Sequence, residues 1–339
     1  MTAALWERVD AMIDSAPGVV DLRAHGLHLL AARRWRMLGR PVAASLVRDE
    51  LQAAFTLHSA RGVLREIRAA YDGPVIVLKG PVVAARYPDP ALRPFHDLDL
   101  LVPDAAAARQ SLLASGFQPS GDPRHYQHVF HHERPVRSPS FPLNVELHSG
   151  PKWVVGLDAP PVTVLLSAAV PVALDVDDIL TLSPAHHTLV LAAHLWAHDP
   201  LARFLRVVDV ALMAEESERR ELNALADAWR MARLWHATMA IADALLAGSA
   251  PQPWSLRTWG RSACKLREPS VFEVHLARCI APFWVLPPYR ALQALGVSLS
   301  GFVRPQPDES WGSKLRRTGW QLARPSMRRS EHVRRIESK

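Results

Sequence analysis

Cysteine is scarce in this chain: Cys264 and Cys279 are the two thiols among 339 residues. Two thiols cannot build a disulfide framework, and a reducing cytoplasm is the compartment that fits. A membrane-length apolar run is lacking as well. The longest, Val162 to Leu174, is short for a span and contains Pro171. The opening stretch, Met1 to Gly18, carries acids inside its apolar pattern and has no signal-peptide core. Internal repeats and low-complexity linkers are also missing. With 49% hydrophobic and 22% charged residues, the composition is that of an ordinary soluble protein. The length allows about two domains.

Acidic charge is thin at one end. From Ala250 to Lys339, 16 Lys+Arg stand against 6 Asp+Glu, a balance of +10. The net charge of the whole chain is +7, so the rest carries −3. A basic tail can meet the phosphates of a nucleotide or a nucleic acid. It shows no nucleic-acid-binding motif, and we read it as a solvated, Arg-rich surface. Nucleic acid is not the favoured partner, and no membrane is expected.

The informative stretch is VIVLKGPVVAARYPDPALRPFHDLDLLV, Val75 to Val102. VIVL is a β-branched run that ends in Lys79-Gly80. A loop rich in Pro and Arg follows. HDLDLLV then alternates polar and apolar residues, the pattern of a half-buried strand. Residues i and i+2 of a strand share a face, so Asp97 and Asp99 lie side by side. Adjacent carboxylates repel unless a cation joins them. With oxygen ligands the fitting cation is Mg2+, which takes one or two carboxylates and completes its shell with water and substrate phosphates. On an edge strand the same pattern would be a solvated face.

Around this stretch the chain reads in three parts. Residues 1–71 are a helical region, with helices over Leu27 to Gly39 and Ala44 to Tyr71, the second open to a break at Gly62. Residues 72–178 alternate strand and helix. Asp104 caps a helix that stops near Gly116, LNVELHS (Leu143 to Ser149) is a strand carrying Glu146, and Val172 to Asp177 forms a short strand or hairpin. Residues 179–339 are helical again. Ser183-Pro184 opens a helix, amphipathic segments continue to Gly248, and the basic tail closes the chain. The expected class is α/β (α+β): a small mixed-sheet core with N-terminal helices and a larger C-terminal helical region.

Adjacent strands can gather Asp97, Asp99 and Glu146 around one or two metal ions, the arrangement that supports phosphoryl-type displacement. Lys79-Gly80 sits at a strand-to-helix turn. Gly lets the backbone approach a phosphate and Lys neutralises its charge. Arg93 is a second candidate phosphate clamp, with pairing to Asp89 or Asp97 as its bland alternative.

LKG, the YPDP loop, DLDLLV, a helix ending in SGF, VELH, LSPAHHTLVLAAHLWAH and RFLRVVDVALM together resemble the polymerase-β-like nucleotidyltransferase superfamily. Within it they look most like the uncharacterised nucleotidyltransferases. The resemblance runs roughly from Val75 to Leu246. It implies that Asp97, Asp99 and Glu146 are the ligands of Mg2+, two ions being expected, and that Glu146 is also a candidate base. It implies that Lys79-Gly80 stands where the superfamily usually has a Gly-Ser or Gly-Gly phosphate loop. It further implies an NTP substrate, ATP among the candidates, with NMP passed to a small-molecule, peptide or protein acceptor. The alternative function is a non-catalytic nucleotide-binding or protein-interaction module on the same fold.

Other residues carry weaker signals. His148 shares the strand face of Glu146 and is a candidate site residue. His194 and His198 lie four apart on one helix face, without the Glu that a metalloprotease helix needs, and suit packing or a cleft wall. Arg203 and Asp209 are candidates for the same wall, although an internal ion pair explains them equally well. His125, His128, His131 and His132 crowd one loop without the spacing of a metal site.

Overall fold

A computed structural model describes residues 3–121, 133–197, 200–247, 252–259, 264–303 and 309–322. His198 and the four loop histidines lie outside the described residues. The expected class is what the chain adopts, a mixed α+β fold with a seven-stranded sheet.

Four helices precede the sheet: α1 (Ala3–Asp14), α2 (Val19–His25), α3 (His28–Met37) and α4 (Ala44–Ala70). Gly62 does not break α4. It lets the helix pass close to another segment, because a Cβ there would stand 2.6 Å from a ring carbon of Phe141. The apolar side of α4, with Ala60, Val63, Leu64 and Ile67, is fully buried. This is the i, i+3, i+4, i+7 stripe of a helix that packs on a core.

The sheet contains β1 (Val75–Val77), β2 (Asp97–Leu101), β3 (Gln118–Pro119), β4 (Val136–Arg137), β5 (Asn144–His148), β6 (Ala169–Pro171) and β7 (Ile179–Leu182). Their order across it is β3-β4-β5-β2-β1-β7-β6. The aspartate strand β2 is therefore the middle strand and not an edge. It runs antiparallel to β1 and parallel to β5, and β1 runs parallel to β7. Between β1 and β2 lie α5 (Pro81–Ala84) and a 3-10 turn, Pro90–Leu92; α6 (Ala105–Ala114) follows β2, capped by Asp104 as its sequence suggested. The hairpin near residue 175 also exists, with shifted strands. Residues 172–178 are its connection, and the strands are β6 and β7 on either side. The sheet thus continues to Leu182.

The two sheet faces divide the apolar residues. Val75, Val77, Leu98, Leu100, Val145 and Leu147 enter the main core. Ile76, Leu78 and Leu101 form a smaller cluster on the other face with Leu165 of α7 (Val162–Ser167), Leu182 and Val190. Val190 belongs to α8 (Pro184–Ala197), the first helix of the second half. Further helices are α9 (Phe204–Ala214), α10 (Arg219–Ala228), α11 (Ala232–Ala242), α12 (Trp254–Trp259), α13 (Val271–Val285), α14 (Pro288–Val303) and α15 (Trp311–Leu322). The stretch between α10 and α11 turns at Arg230, whose φ is 54°.

Buried polar contacts fasten the helical half to the sheet. His187 of α8 donates to the carbonyl of Leu78 at 2.6 Å. Its burial keeps the imidazole neutral, down to a pKa of about 4. Arg93 forms a two-pronged pair with Asp209 of α9, at 2.9 and 2.8 Å, and the Tyr87 hydroxyl donates to the same carboxylate at 2.8 Å. Arg93 and Asp209 are both buried. Of the roles considered for them, phosphate clamp, cleft wall or ion pair, an ion pair is the arrangement seen, with each as the other's partner. Each satisfies the other, and the loop between β1 and β2 is thereby tied to α9. Asp89, the partner considered for Arg93, accepts instead from the amide of Ala91.

Removing one partner of a buried ion pair strands the other charge in the interior. Asp209→Ala should therefore cost about 3–5 kcal/mol. The apolar double change Arg93→Met with Asp209→Leu should recover most of that loss. Urea denaturation of both variants checks this, and an Asp209→Ala variant as stable as the wild type contradicts it.

Candidate active site

The site follows from strand geometry. β2 and β5 run parallel with Asp99 beside Glu146 and Leu101 beside His148. Paired residues of parallel strands face the same side, so Asp97, Asp99, Glu146 and His148 share one face. Opposite them is α8. Between sheet and helix lies a cleft lined by Leu78, Lys79, Asp99, His148, Lys152, Val190, Leu191 and His194.

Lys79 enters this cleft from the end of β1. Gly80 follows it with a φ of 68°, a left-handed conformation that glycine adopts at no steric cost. A Cβ there would approach the Phe95 ring to 3.3 Å. The turn points the Lys79 ammonium 2.9 Å from Asp99 Oδ2 and 3.0 Å from His194 Nε2. An ammonium only donates, so His194 Nε2 accepts. Burial, together with the charges of Lys79 and Arg206, holds the His194 pKa well below its usual range. The neutral ring is therefore the form that meets Lys79. His148 donates from Nε2 to Asp99 Oδ1 at 3.0 Å, and the same nitrogen lies 3.7 Å from Glu146 Oε2.

Asp99 thus has a donor on each carboxylate oxygen. Burial opposes its charge, yet Lys79 and His148 together hold the carboxyl well below the usual carboxylate range. Its neighbours respond in the opposite direction. Burial and the Asp99 charge raise Asp97. Burial, Asp99 and Asp97 push Glu146 up to about 7. The central carboxyl is thus held down while the two outer ones are raised.

The ligand atoms of Asp99, Glu146 and His148 lie within 4.8 Å of one another, close enough for a metal ion. Asp97 stands two residues earlier on the same face of β2. Of the expected grouping, the sheet brings Asp99 and Glu146 together, with His148 as the third member of the cluster, and Asp97 shares their face. His194 lines the cleft. Arg203 is exposed at the start of α9, and Asp209 is paired elsewhere.

Sequence reasoning missed Lys152 and Arg206. Lys152 follows β5 and lines the cleft. Burial, Lys79 and Arg206 lower its pKa. The Gly150-Pro151-Lys152 turn directly after the Glu146 strand was the available signal. Arg206 lies on α9, where nothing in the sequence pattern separates it from other helix arginines.

Acidic side chains are thus gathered on two adjacent strands of the sheet, with Lys79 and Lys152 lining the cleft beside them. A model of the family described as uncharacterised nucleotidyltransferase matches residues 21–247. That is more than half of the chain, which belongs to this family. No curated protein and no solved structure matches the chain. Among the described residues, no helix is long and apolar enough to cross a membrane.

The two aspartates should behave differently when neutralised in the metal-free protein. Asp97→Asn removes repulsion and should leave the melting temperature unchanged or raised. Asp99→Asn removes a carboxylate paired with Lys79 and His148 and should cost about 2 kcal/mol. Equal melting of the two variants contradicts this asymmetry.

Glu146 adds a pH signature. The folded protein keeps its proton up to about pH 7, whereas an ordinary glutamate loses it near 4.5. Between those values the folded state binds the extra proton, so the stability Glu146 contributes is lost as pH rises. In metal-free thermal melts from pH 5 to 8, wild type should fall progressively below Glu146→Gln. A gap between them that does not change with pH overturns the assignment.

Proposed function

We propose that the protein transfers NMP from an NTP to an acceptor hydroxyl and releases pyrophosphate. One observation carries the proposal: Asp99 and Glu146 sit side by side on adjacent parallel strands, with Lys79 on Asp99. Membership of the family supports the same reaction class.

The donor set suits a divalent cation. Asp97, Asp99 and Glu146 offer hard oxygen ligands, and the raised Asp97 and Glu146 are the groups a cation would relieve. These three carboxylates would hold Mg2+, and His148 would orient Asp99. The bound ion would supply charge stabilisation at the phosphates.

The chain's own residues then divide the work. Lys79, at the turn before Gly80, meets the incoming phosphates. Lys79 would exchange its bond to Asp99 for the phosphates, leaving that carboxylate among those that would hold the ion. Glu146 takes the proton of the acceptor hydroxyl. The acceptor oxygen bonds to the α-phosphorus, the bond from that phosphorus to the bridging oxygen breaks, and pyrophosphate leaves with its electron pair. His194 stays neutral and holds Lys79 from the helical wall.

Glu146→Gln separates binding from transfer. NTP affinity with Mg2+ should stay largely intact, because two aspartates and the triphosphate still hold an ion. The transfer step should fall by a factor of roughly 10² to 10⁴. Single-turnover transfer and equilibrium binding, measured on the same variant, decide it. Equal loss of both would make Glu146 structural. No transfer by the wild type with any NTP would favour a binding module.

A further inference from the structure

Lys152 has no role in the reaction as described, yet its side chain lines the same cleft as Lys79, Asp99 and His148. It is partly buried, and among the described residues it makes no hydrogen bond or ion pair. Of the nearby anions, Asp99 is bonded to Lys79 on one oxygen and to His148 on the other, and Glu146 attracts Lys152 without a hydrogen bond or close ion pair between them among the described residues. Burial and the cations Lys79 and Arg206 act against the Lys152 charge, and they outweigh the attraction of Glu146 and Asp99. An ammonium held in such a place, without an acceptor, is costly unless an anion arrives.

Its position is fixed from the next residue. Trp153 packs edge-on against Trp229, with ring centroids 5.9 Å apart, and Trp229 packs against His186 at 5.3 Å. These contacts tie the segment after β5 to α8 and to the end of α10. The lysine is thus presented to the cleft by an anchored backbone. Gathered cations beside a carboxylate cluster suit a ligand with several phosphate oxygens, and a polyphosphate chain can spread them over the lysines and a metal site.

We propose that Lys152 binds the β- and γ-phosphates of the donor nucleotide and holds the pyrophosphate as it leaves. This rests on the nucleotidyl-transfer reading given above. Lys152 is then a determinant of preference for a triphosphate tail. The competing role is a structural one, in which Lys152 compensates Glu146 and Asp99 in the empty protein.

Calorimetry on the full chain tests it, with Mg2+ present and inorganic tripolyphosphate as the probe. The α,β-methylene analogues of the four common NTPs serve as a second set. Lys152→Met should weaken binding of the tripolyphosphate at least about tenfold, the loss of one charged hydrogen bond. Lys152→Arg should restore part of it. The metal-free melting temperature of Lys152→Met should be unchanged or raised, because an unpartnered, partly buried charge is gone. If the wild type binds the probe and Lys152→Met binds within twofold of it, the role of Lys152 is overturned while nucleotidyl transfer stands. A lowered melting temperature in Lys152→Met would also overturn it, in favour of the structural role. If the wild type binds neither the tripolyphosphate nor any analogue, the nucleotidyl-transfer reading fails and the assignment of Lys152 falls with it.

Discussion

Repulsion among three carboxylates is the constraint around which this site is built. Asp97, Asp99 and Glu146 are forced onto one face by the period of the strand and by the parallel register of β2 with β5. Neither feature can relax without flipping a strand and exposing Leu98, Leu100, Val145 and Leu147, which are fully or almost fully buried. The core therefore fixes the crowding. Lys79 and His148 neutralise Asp99 and leave the other two carboxyls above their ordinary range. The raised outer carboxyls are the feature on which the proposed binding of a metal–nucleotide complex rests.

The helical half belongs to the same arrangement. His194 of α8 accepts from Lys79, and His187, two turns earlier, fixes that helix to Leu78. Arg93 and Asp209 tie the loop between the two central strands to α9. The cleft is thus a seam between sheet and helices, and its walls are positioned by buried polar contacts as well as by apolar packing. Buried polar contacts of this kind specify one geometry, because each partner left unmatched is penalised.

Part of this was legible in the sequence. Alternation in HDLDLLV and LNVELHS placed Asp97, Asp99 and Glu146 on strand faces, and Lys79-Gly80 announced a strand-to-helix turn. These are local signals, and local signals survive in a one-dimensional pattern. The Arg93–Asp209 pair joins residues 116 positions apart, and no periodicity records such a partner. Lys152 lies in a connecting segment, where side-chain direction depends on the packing of Trp153 against Trp229. Strand β7 is only Ile179–Leu182 and merges with the polar hairpin before it, so its pairing with β1 was not visible. Gly62 shows the reverse error. Glycine reads as a helix break, but here tertiary packing against Phe141 required it.

The central claim is that the α-phosphorus of an NTP is the reacting centre. Parallel incubations with α-labelled and γ-labelled NTPs, Mg2+ and cell extract as acceptor source test it most directly. The account predicts that the α-label becomes attached to an acceptor while the γ-label leaves in pyrophosphate, and that chelating the metal stops both. Transfer of the γ-label to an acceptor, with the α-label left in the nucleoside diphosphate, would contradict it.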